Sequence, residues 1–558
     1  MSETPPATLD VDEITDDAEK ALAAGRLLEA DDLCRKALTA VPDHAPALYV
    51  AGLLALRRKH GAGAVEMLSR AAAVDTGNPL LLTHLATALG AVGRGADAVT
   101  RLERAIALDP ECDEAHYNLG IMHLHAGNPE AALVNLRRAA ELVPDSAPIR
   151  LNLGAALQQT GRAGETVAAF AEAARLKPDW ALAHAFLADI LEVTGRAGEA
   201  REAAGRAVRL QAGQARAEMV LARLDLHEGW PEAARDRLRK VVERTAGNPV
   251  HEAALNGLGH ALDRLGEHQA AFEAFTKSRQ MGARSPLAAR FDHDGLLRRI
   301  QVNREWFSAA RTANWPDPPD DGLPAPVFLV GFPRSGAALV ERVLAAHPDF
   351  VVGHREGWLD RTLAGIEDRL PEVLGDLEPE EVARLRATYF DQVRESLGSA
   401  ADGRRVVDRN PLDLVHLGAV RRLFPEAKVL VSLRDPRDTV LSCLMGRCPF
   451  DRATLHLGDL EALAGFCGQF LGLWLHFRQV LGLDVLEVRH EDMIGCHDQT
   501  VAELMAFLDV DGAPEGSADG LYADGIDRWR KYREPMMPAL PDVSTFINVL
   551  GYGWKNQS

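Results

Sequence analysis

At 558 residues the chain is too long for a single hydrophobic core, so two or three domains are expected. A formal net charge of −19 argues against broad electrostatic binding to nucleic acid or to an anionic membrane; an anionic ligand must be gripped by a local group of arginines. Six cysteines without metal-ligand spacing, an acidic start (MSETPPATLDVDEITDD) without an apolar signal core, and no run of roughly 18 apolar residues predict a cytoplasmic chain with reduced thiols.

Residues 1–9 are polar and are expected to be a disordered N-terminus. A repeat array follows over 10–295. Pro110, Pro144 and Pro178 are 34 residues apart, and two steps back lead to Pro42. Gly93, Gly127, Gly161, Gly195 and Gly229 keep the same period, as do Ala71, Ala105, Ala139, Ala173 and Ala207. A further row runs Ala64, Ala98, Ala132, Ala200 and Ala234, with Thr166 as its exception. Four rows at one period define a repeated helical hairpin. Apolar residues recur at helical spacing, glycine sits where the first helix must turn back, alanine lets two helices approach, and proline opens the next unit. After Arg244 the register slips by three residues, and HEAALNGLGHALDRLGEHQAAFEAF reads as a last, displaced repeat. Such arrays stack into a superhelix with a concave face that binds a peptide or another protein, or serve as scaffolding alone.

Residues 296–326 read as a connecting helix and a proline-rich linker, ending in TANWPDPPDDGLPAP. Beyond it, over 327–535, short apolar runs alternate with helical patterns, which predicts an α/β domain with a parallel sheet. Residues 536–558 read as a C-terminal tail.

Two segments of the second domain carry chemistry. Pro326–Val330 reads as a buried strand that runs into Gly331-Phe332-Pro333-Arg334-Ser335-Gly336, with a helix starting at about Ala337. A strand, a glycine-rich turn and a helix N-terminus make an anion site, and Arg334 adds a guanidinium able to grip two oxygens. The Gly-Lys-Ser/Thr ending of a nucleoside-triphosphatase loop is absent. The plainer alternative is a tight structural turn. In the second segment, the strand Lys428–Leu433 ends in Arg434-Asp435-Pro436-Arg437-Asp438, and a helix carries Ser442 back toward it. Arg434 stands at the C-terminal edge of a strand, where open α/β sheets bind ligands. A structural ion pair with Asp438 is the alternative.

Together these segments resemble the sulfotransferase family, in particular its bacterial branch fused to tetratricopeptide repeats and similar to protein-tyrosine sulfotransferases. Val352-Gly353-His354-Arg355-Glu356, Val407-Asp408-Arg409-Asn410-Pro411, Leu486–Asp492 and Arg528-Trp529-Arg530-Lys531-Tyr532 follow in the family's order. The resemblance implies a P-loop-like α/β fold and a 3′-phosphoadenosine-5′-phosphosulfate co-substrate, with no metal required. It implies that Gly331, Pro333, Arg334, Ser335, Gly336 and Ala337 hold the phosphosulfate and that Arg434 and Ser442 hold the 3′-phosphate, with Arg528 and Trp529 completing the site. It assigns Glu356 as general base and Arg334 and Arg409 as cations on the transferring group, with a sulfo group moving to a hydroxyl acceptor. Glu356 and Arg409 read equally as surface charges when taken without the resemblance.

Three departures stand against the family pattern. Ala337-Ala338 replace the usual hydroxyl pair, and the stretch DVDGAPEGSADGLYADGID before Arg528 is short, acidic and free of arginine. Asp527 occupies the usual place of a glycine. These departures support an alternative, a protein-interaction scaffold whose sulfotransferase-like domain has lost turnover.

Overall fold

The computed structural model describes residues 10–248, 250–286, 288–320, 322–354, 357–446, 454, 456–512, 514 and 525–553. They form two compact units, Met1–Leu224 and Asp225–Ser558. The division falls inside the predicted array rather than at the proline-rich segment.

The first unit consists of paired helices, from Val11–Ala23 with Leu27–Ala40 to Ala181–Val193 with Ala197–Leu210. The periodic rows act as their types require. Ala71, Ala105, Ala139, Ala173 and Ala207 are all 0% exposed, so a larger side chain there would wedge a helix pair apart, at about 1–3 kcal/mol. Gly154 faces Phe170 so closely that a Cβ would sit 2.5 Å from the ring. Gly127 ends the helix Asp113–Ala126 in the left-handed region at φ 78°, and Gly93, Gly161 and Gly195 share that conformation. One period before Gly93 the same backbone, φ 58°, is imposed on Lys59.

The second unit opens with the end of the array. Helices α1 (Val250–Arg264) and α2 (His268–Ala283) pair as earlier hairpins do, with Gly259 set against Phe275. Helix α3 (His293–Trp306) follows, and its Asn303 donates to the Val415 carbonyl at 2.7 Å. The proline-rich segment then runs along this unit: Thr312 donates to the Val480 carbonyl and Arg422 to that of Pro316, both at 2.9 Å. It is packed chain rather than a free linker.

Then come β1 (Val327–Gly331), α4 (Ala337–Ala346), β2 (Phe350–His354), α5 (Pro379–Leu397), β3 (Arg405–Arg409) and β4 (Lys428–Leu433). These lead into α6 (Pro436–Met445), α7 (Leu460–Val480), β5 (Asp484–Arg489) and α8 (Leu540–Val549). The sheet is parallel throughout, in the order β2-β3-β1-β4-β5. Strands β1 and β4 are buried nearly end to end, as their unbroken apolar runs demand. Their register sets Gly331 beside Ser432, which brings the two motif loops together at one sheet edge. The segment read as a tail folds instead: α8 buries Val543 and Ile547, each 1% exposed, and packs on α7.

Candidate functional site

The first loop is shaped by backbone that few residues tolerate. Gly331 has φ 154°, and a Cβ there would lie 2.6 Å from the Ser432 carbonyl oxygen. Gly336, at φ 104°, caps α4 without a side chain, so the leading N–H groups of the helix face the loop. Arg334 is left-handed at φ 69°, a strained conformation for a side chain this large. The Ser432 hydroxyl fixes the loop by donating to the Ser335 carbonyl at 2.9 Å.

The second loop closes on the first. Arg434 donates to the Arg334 carbonyl at 3.4 Å and to that of Gly525 at 2.5 Å. The Arg334 Nε donates to the Ser442 hydroxyl at 3.2 Å. Arg334, Arg434, Asp438, Ser442 and Arg528 line one cavity of about 130 Å³, together with His260 from α1. Around these loops, Ser335 Oγ, Arg434 Nε, Thr439 Oγ1 and His490 Nδ1 are buried without a hydrogen-bond partner among the described residues. Three guanidinium groups in one small space, in a loop that leads into a helix N-terminus, fit a multiply charged anion.

Burial tunes the groups in and around the cavity. Asp438 is 2% exposed, accepts a 2.8 Å hydrogen bond from the Trp529 backbone N–H, and is pushed up to about 7 by burial. His490 is held down at about 4 by burial and by the nearby Arg434. Trp529, predicted to touch the nucleotide, is 1% exposed and lies in the wall behind, with the Arg437 guanidinium 4.0 Å from its ring centre. Arg528 is anchored by Asp263 of α1, which also accepts from the Tyr532 hydroxyl at 2.5 Å. Burial opposes ionisation of Asp263, but Tyr532 and Arg528 outweigh it and hold the carboxyl below its ordinary range.

Gly331, Pro333, Ser335 and Ala337 are all buried in or beside the loop. Arg409 stands apart from the cavity lining. Its backbone is register partner to Leu329 and His354, but its Nε lies 2.7 Å from Glu341 of α4. Glu356 lies outside the described residues, as does Arg355. Asp527 takes φ 55°, so the backbone keeps the conformation that a glycine would favour there.

Among the described residues, Asp360, Asp413 and His416 bring ligand atoms within 4.8 Å of one another, a spacing compatible with a metal ion. Their present bonds are different. His416 pairs with Asp360 at 2.9 Å, and Arg299 stands 3.2 Å from the same imidazole nitrogen, which opposes a cation. Burial beside Asp408 drives the Asp413 carboxyl well above its ordinary range, which disfavours the charged form that a cation would need.

The sequence motifs did not single out His260 and Asp438, which line the cavity, or Asp263 and His490, which stand beside its arginines. His490 and Asp438 follow the ends of β5 and β4, and the strand-edge rule was a sufficient signal for both. His260 and Asp263 carry no such signal, because they belong to a helix whose pattern is that of a repeat.

This is a parallel α/β unit with an arginine-lined cavity, preceded in the chain by paired-helix repeats. Residues 326–514 match the sulfotransferase family, and residues 84–147, 123–190 and 219–286 match the tetratricopeptide repeat. The two sets of matches fit a fusion of tetratricopeptide repeats with a sulfotransferase-type domain. It is 30% identical over 128 residues to protein-tyrosine sulfotransferase 1 of Homo sapiens, covering 21% of this chain and 33% of the relative. It is 27% identical over 199 residues to the protein-tyrosine sulfotransferase of Drosophila melanogaster, covering 33% of this chain and 38% of the relative. The chain spans only 33% and 30% of the length of the first curated relatives it matches. A solved tetratricopeptide repeat protein from Parabacteroides merdae aligns with 45% of this chain and 98% of its own, at 18% identity and a TM-score of 0.36. No helix among the described residues is long and apolar enough to cross a membrane.

Proposed function

We infer that the second unit is a sulfotransferase using 3′-phosphoadenosine-5′-phosphosulfate, and that its acceptor is a hydroxyl on a protein bound by the repeats. The observation that carries this reading is the convergence of Arg334, Arg434, Arg528 and Ser442 on one cavity beside the N-terminus of α4. The nucleotide supplies an activated sulfo group on its 5′-phosphate, and the 3′-phosphate gives a second anion to grip. In this reading the loop 331–337 cradles the 5′ end, while Arg434 and Ser442 hold the 3′-phosphate. The N–H groups of α4 and the Arg334 guanidinium stabilise negative charge at the 5′ end.

Glu356, two residues beyond the end of β2, is proposed to take the acceptor hydroxyl's proton. Arg409 is proposed as the second cation, reaching the transferring group only after giving up its contact with Glu341. Similarity to protein-tyrosine sulfotransferases supports tyrosine as the acceptor side chain. The repeats support recruitment of a protein or peptide.

The test is transfer of labelled sulfo groups to peptides by wild type and Glu356→Gln. Turnover is expected to fall by about 10²–10⁴-fold with nucleotide affinity retained. Full activity in the variant contradicts the assignment of the base. A second reading, binding without turnover, draws on the missing hydroxyls at Ala337 and Ala338 and on the Arg409–Glu341 pair. It is favoured if wild type binds the nucleotide but labels no acceptor.

A further inference from the structure

The hairpin of α1 and α2 matches the tetratricopeptide repeat, yet it is built into the sulfotransferase-family unit. Asn256 donates to the Met445 carbonyl at 3.1 Å. Arg279, 5% exposed, donates to the carbonyls of Leu457 and Cys443 at 2.9 Å each and to that of Thr454. These bonds clamp the hairpin onto the end of α6 and the chain beyond it. One turn along α1 from Asn256, the imidazole of His260 reaches the cavity that holds Arg334, Arg434, Asp438, Ser442 and Arg528. One turn further, Asp263 fixes the guanidinium of Arg528.

We propose that α1 is a wall of the nucleotide site, with His260 a direct ligand of the 3′-phosphate and Asp263 the residue that positions Arg528 for the same anion. The inference rests on the nucleotide reading above. The α/β motifs alone do not supply this wall; a helix of the repeat type does, so nucleotide recognition and the end of the array share residues.

The charges around His260 define how it acts. Arg528 and Arg334 face it as cations, Asp263 as an anion on its own helix, and Asp438 and Arg434 lie across the cavity. The edge of its ring meets Phe275, with centroids 4.9 Å apart. Burial first, and Arg528 next, hold the free imidazole down at about 4, so it is neutral and can enter the cavity without repelling the arginines. A dianionic phosphate among the same groups reverses the balance and favours the imidazolium. Binding of a 3′-phosphorylated nucleotide therefore draws a proton onto His260.

The experiment uses the full-length chain with 3′-phosphoadenosine-5′-phosphate and adenosine 5′-phosphate as probes. Calorimetry gives the ratio of the two affinities for wild type, His260→Gln and Asp263→Asn. Hydrogen exchange at the imidazole C2 position, read by mass spectrometry, follows the protonation of His260 in wild type with and without each probe. The expected result is a preference for the 3′-phosphorylated probe that drops about tenfold or more in both variants. The His260 pKa is also expected to rise with that probe only. An unchanged ratio in His260→Gln, or an imidazole indifferent to the 3′-phosphate, overturns the proposal while leaving the nucleotide reading in place. If His260→Gln does not fold, the exchange measurement on wild type decides alone. Failure of wild type to bind either probe overturns the nucleotide reading and this inference with it.

Discussion

Arg334 shows how a single residue records the site's purpose. Its left-handed backbone costs about 1–2 kcal/mol that a glycine would not incur, and its guanidinium reaches the Ser442 hydroxyl across the cavity. Arg434→Ala is the cleaner test of the anion, since it removes the guanidinium that ends β4 and touches both Arg334 and Gly525. Affinity for 3′-phosphoadenosine-5′-phosphate should fall, with adenosine 5′-phosphate hardly affected; equal losses would make Arg434 structural. Titration gives a second residue-scale test. Burial holds His456 and His490 at about 4, so both are neutral in the folded chain near pH 5, where unfolded imidazoles bind a proton. Unfolding takes up protons there, and stability from these groups rises as pH goes from about 4 to about 6.5. Asp438 acts oppositely, because its pKa of about 7 in the fold exceeds that of an unfolded carboxyl. Its contribution is present at low pH and is lost as pH rises from about 4 to about 7. Asp438→Asn is therefore expected to steepen the acid-side rise in stability, measured by urea denaturation at about pH 5 and about pH 6.5. A slope equal to that of wild type would contradict the assignment.

At the scale of elements, two residues take a backbone that glycine would favour. Lys59 and Asp527 both hold positive φ where the respective patterns call for glycine. Lys59→Gly relieves the left-handed strain but adds freedom to the unfolded chain, leaving a net gain of about 0.5–1 kcal/mol. Thermal and urea denaturation of the first unit's transition measure it, and a loss of stability would show that Lys59 contributes contacts that outweigh its backbone. The repeats and the strands were legible because their signals are local: a 34-residue period, and apolar runs ending in turn residues. The loop residues Gly331 to Gly336, Arg434 and Ser442 were legible for the same reason, since strand ends fix their position. The partners of those residues were not. Asp263 and His260 come from a helix whose apolar spacing serves hairpin packing, and nothing in that spacing tells which polar residues meet a distant arginine. Likewise α8 read as a tail because its Leu540, Val543 and Ile547 form a face too short to stand out until α7 is there to bury it.

On the scale of the whole molecule, the boundary between units carries the main consequence. The sequence separates array from domain at the proline-rich segment, whereas the compact units divide after Leu224. A chain beginning at 225 keeps Asn256, His260, Asp263 and Arg279, and is expected to fold and bind the nucleotide. A chain beginning at 310 removes all four and leaves the carbonyls of Met445, Cys443 and Leu457 without their donors. It is expected to lose nucleotide binding, and retention of wild-type affinity would show that the hairpin is dispensable. Removing residues 1–224 should leave nucleotide affinity intact and lower turnover on a protein acceptor; unchanged kinetics on that acceptor would end the case for recruitment by the repeats.

The central claim is that the cavity of Arg334, Arg434, Arg528 and Ser442 is a sulfonucleotide site, and calorimetric titration of the full chain with a chelator present tests it most directly. The account predicts tight, saturable binding of 3′-phosphoadenosine-5′-phosphate, with adenosine 5′-phosphate at least about tenfold weaker because one charge-assisted set of contacts is missing. Binding of neither nucleotide, or equal binding of both, would contradict it.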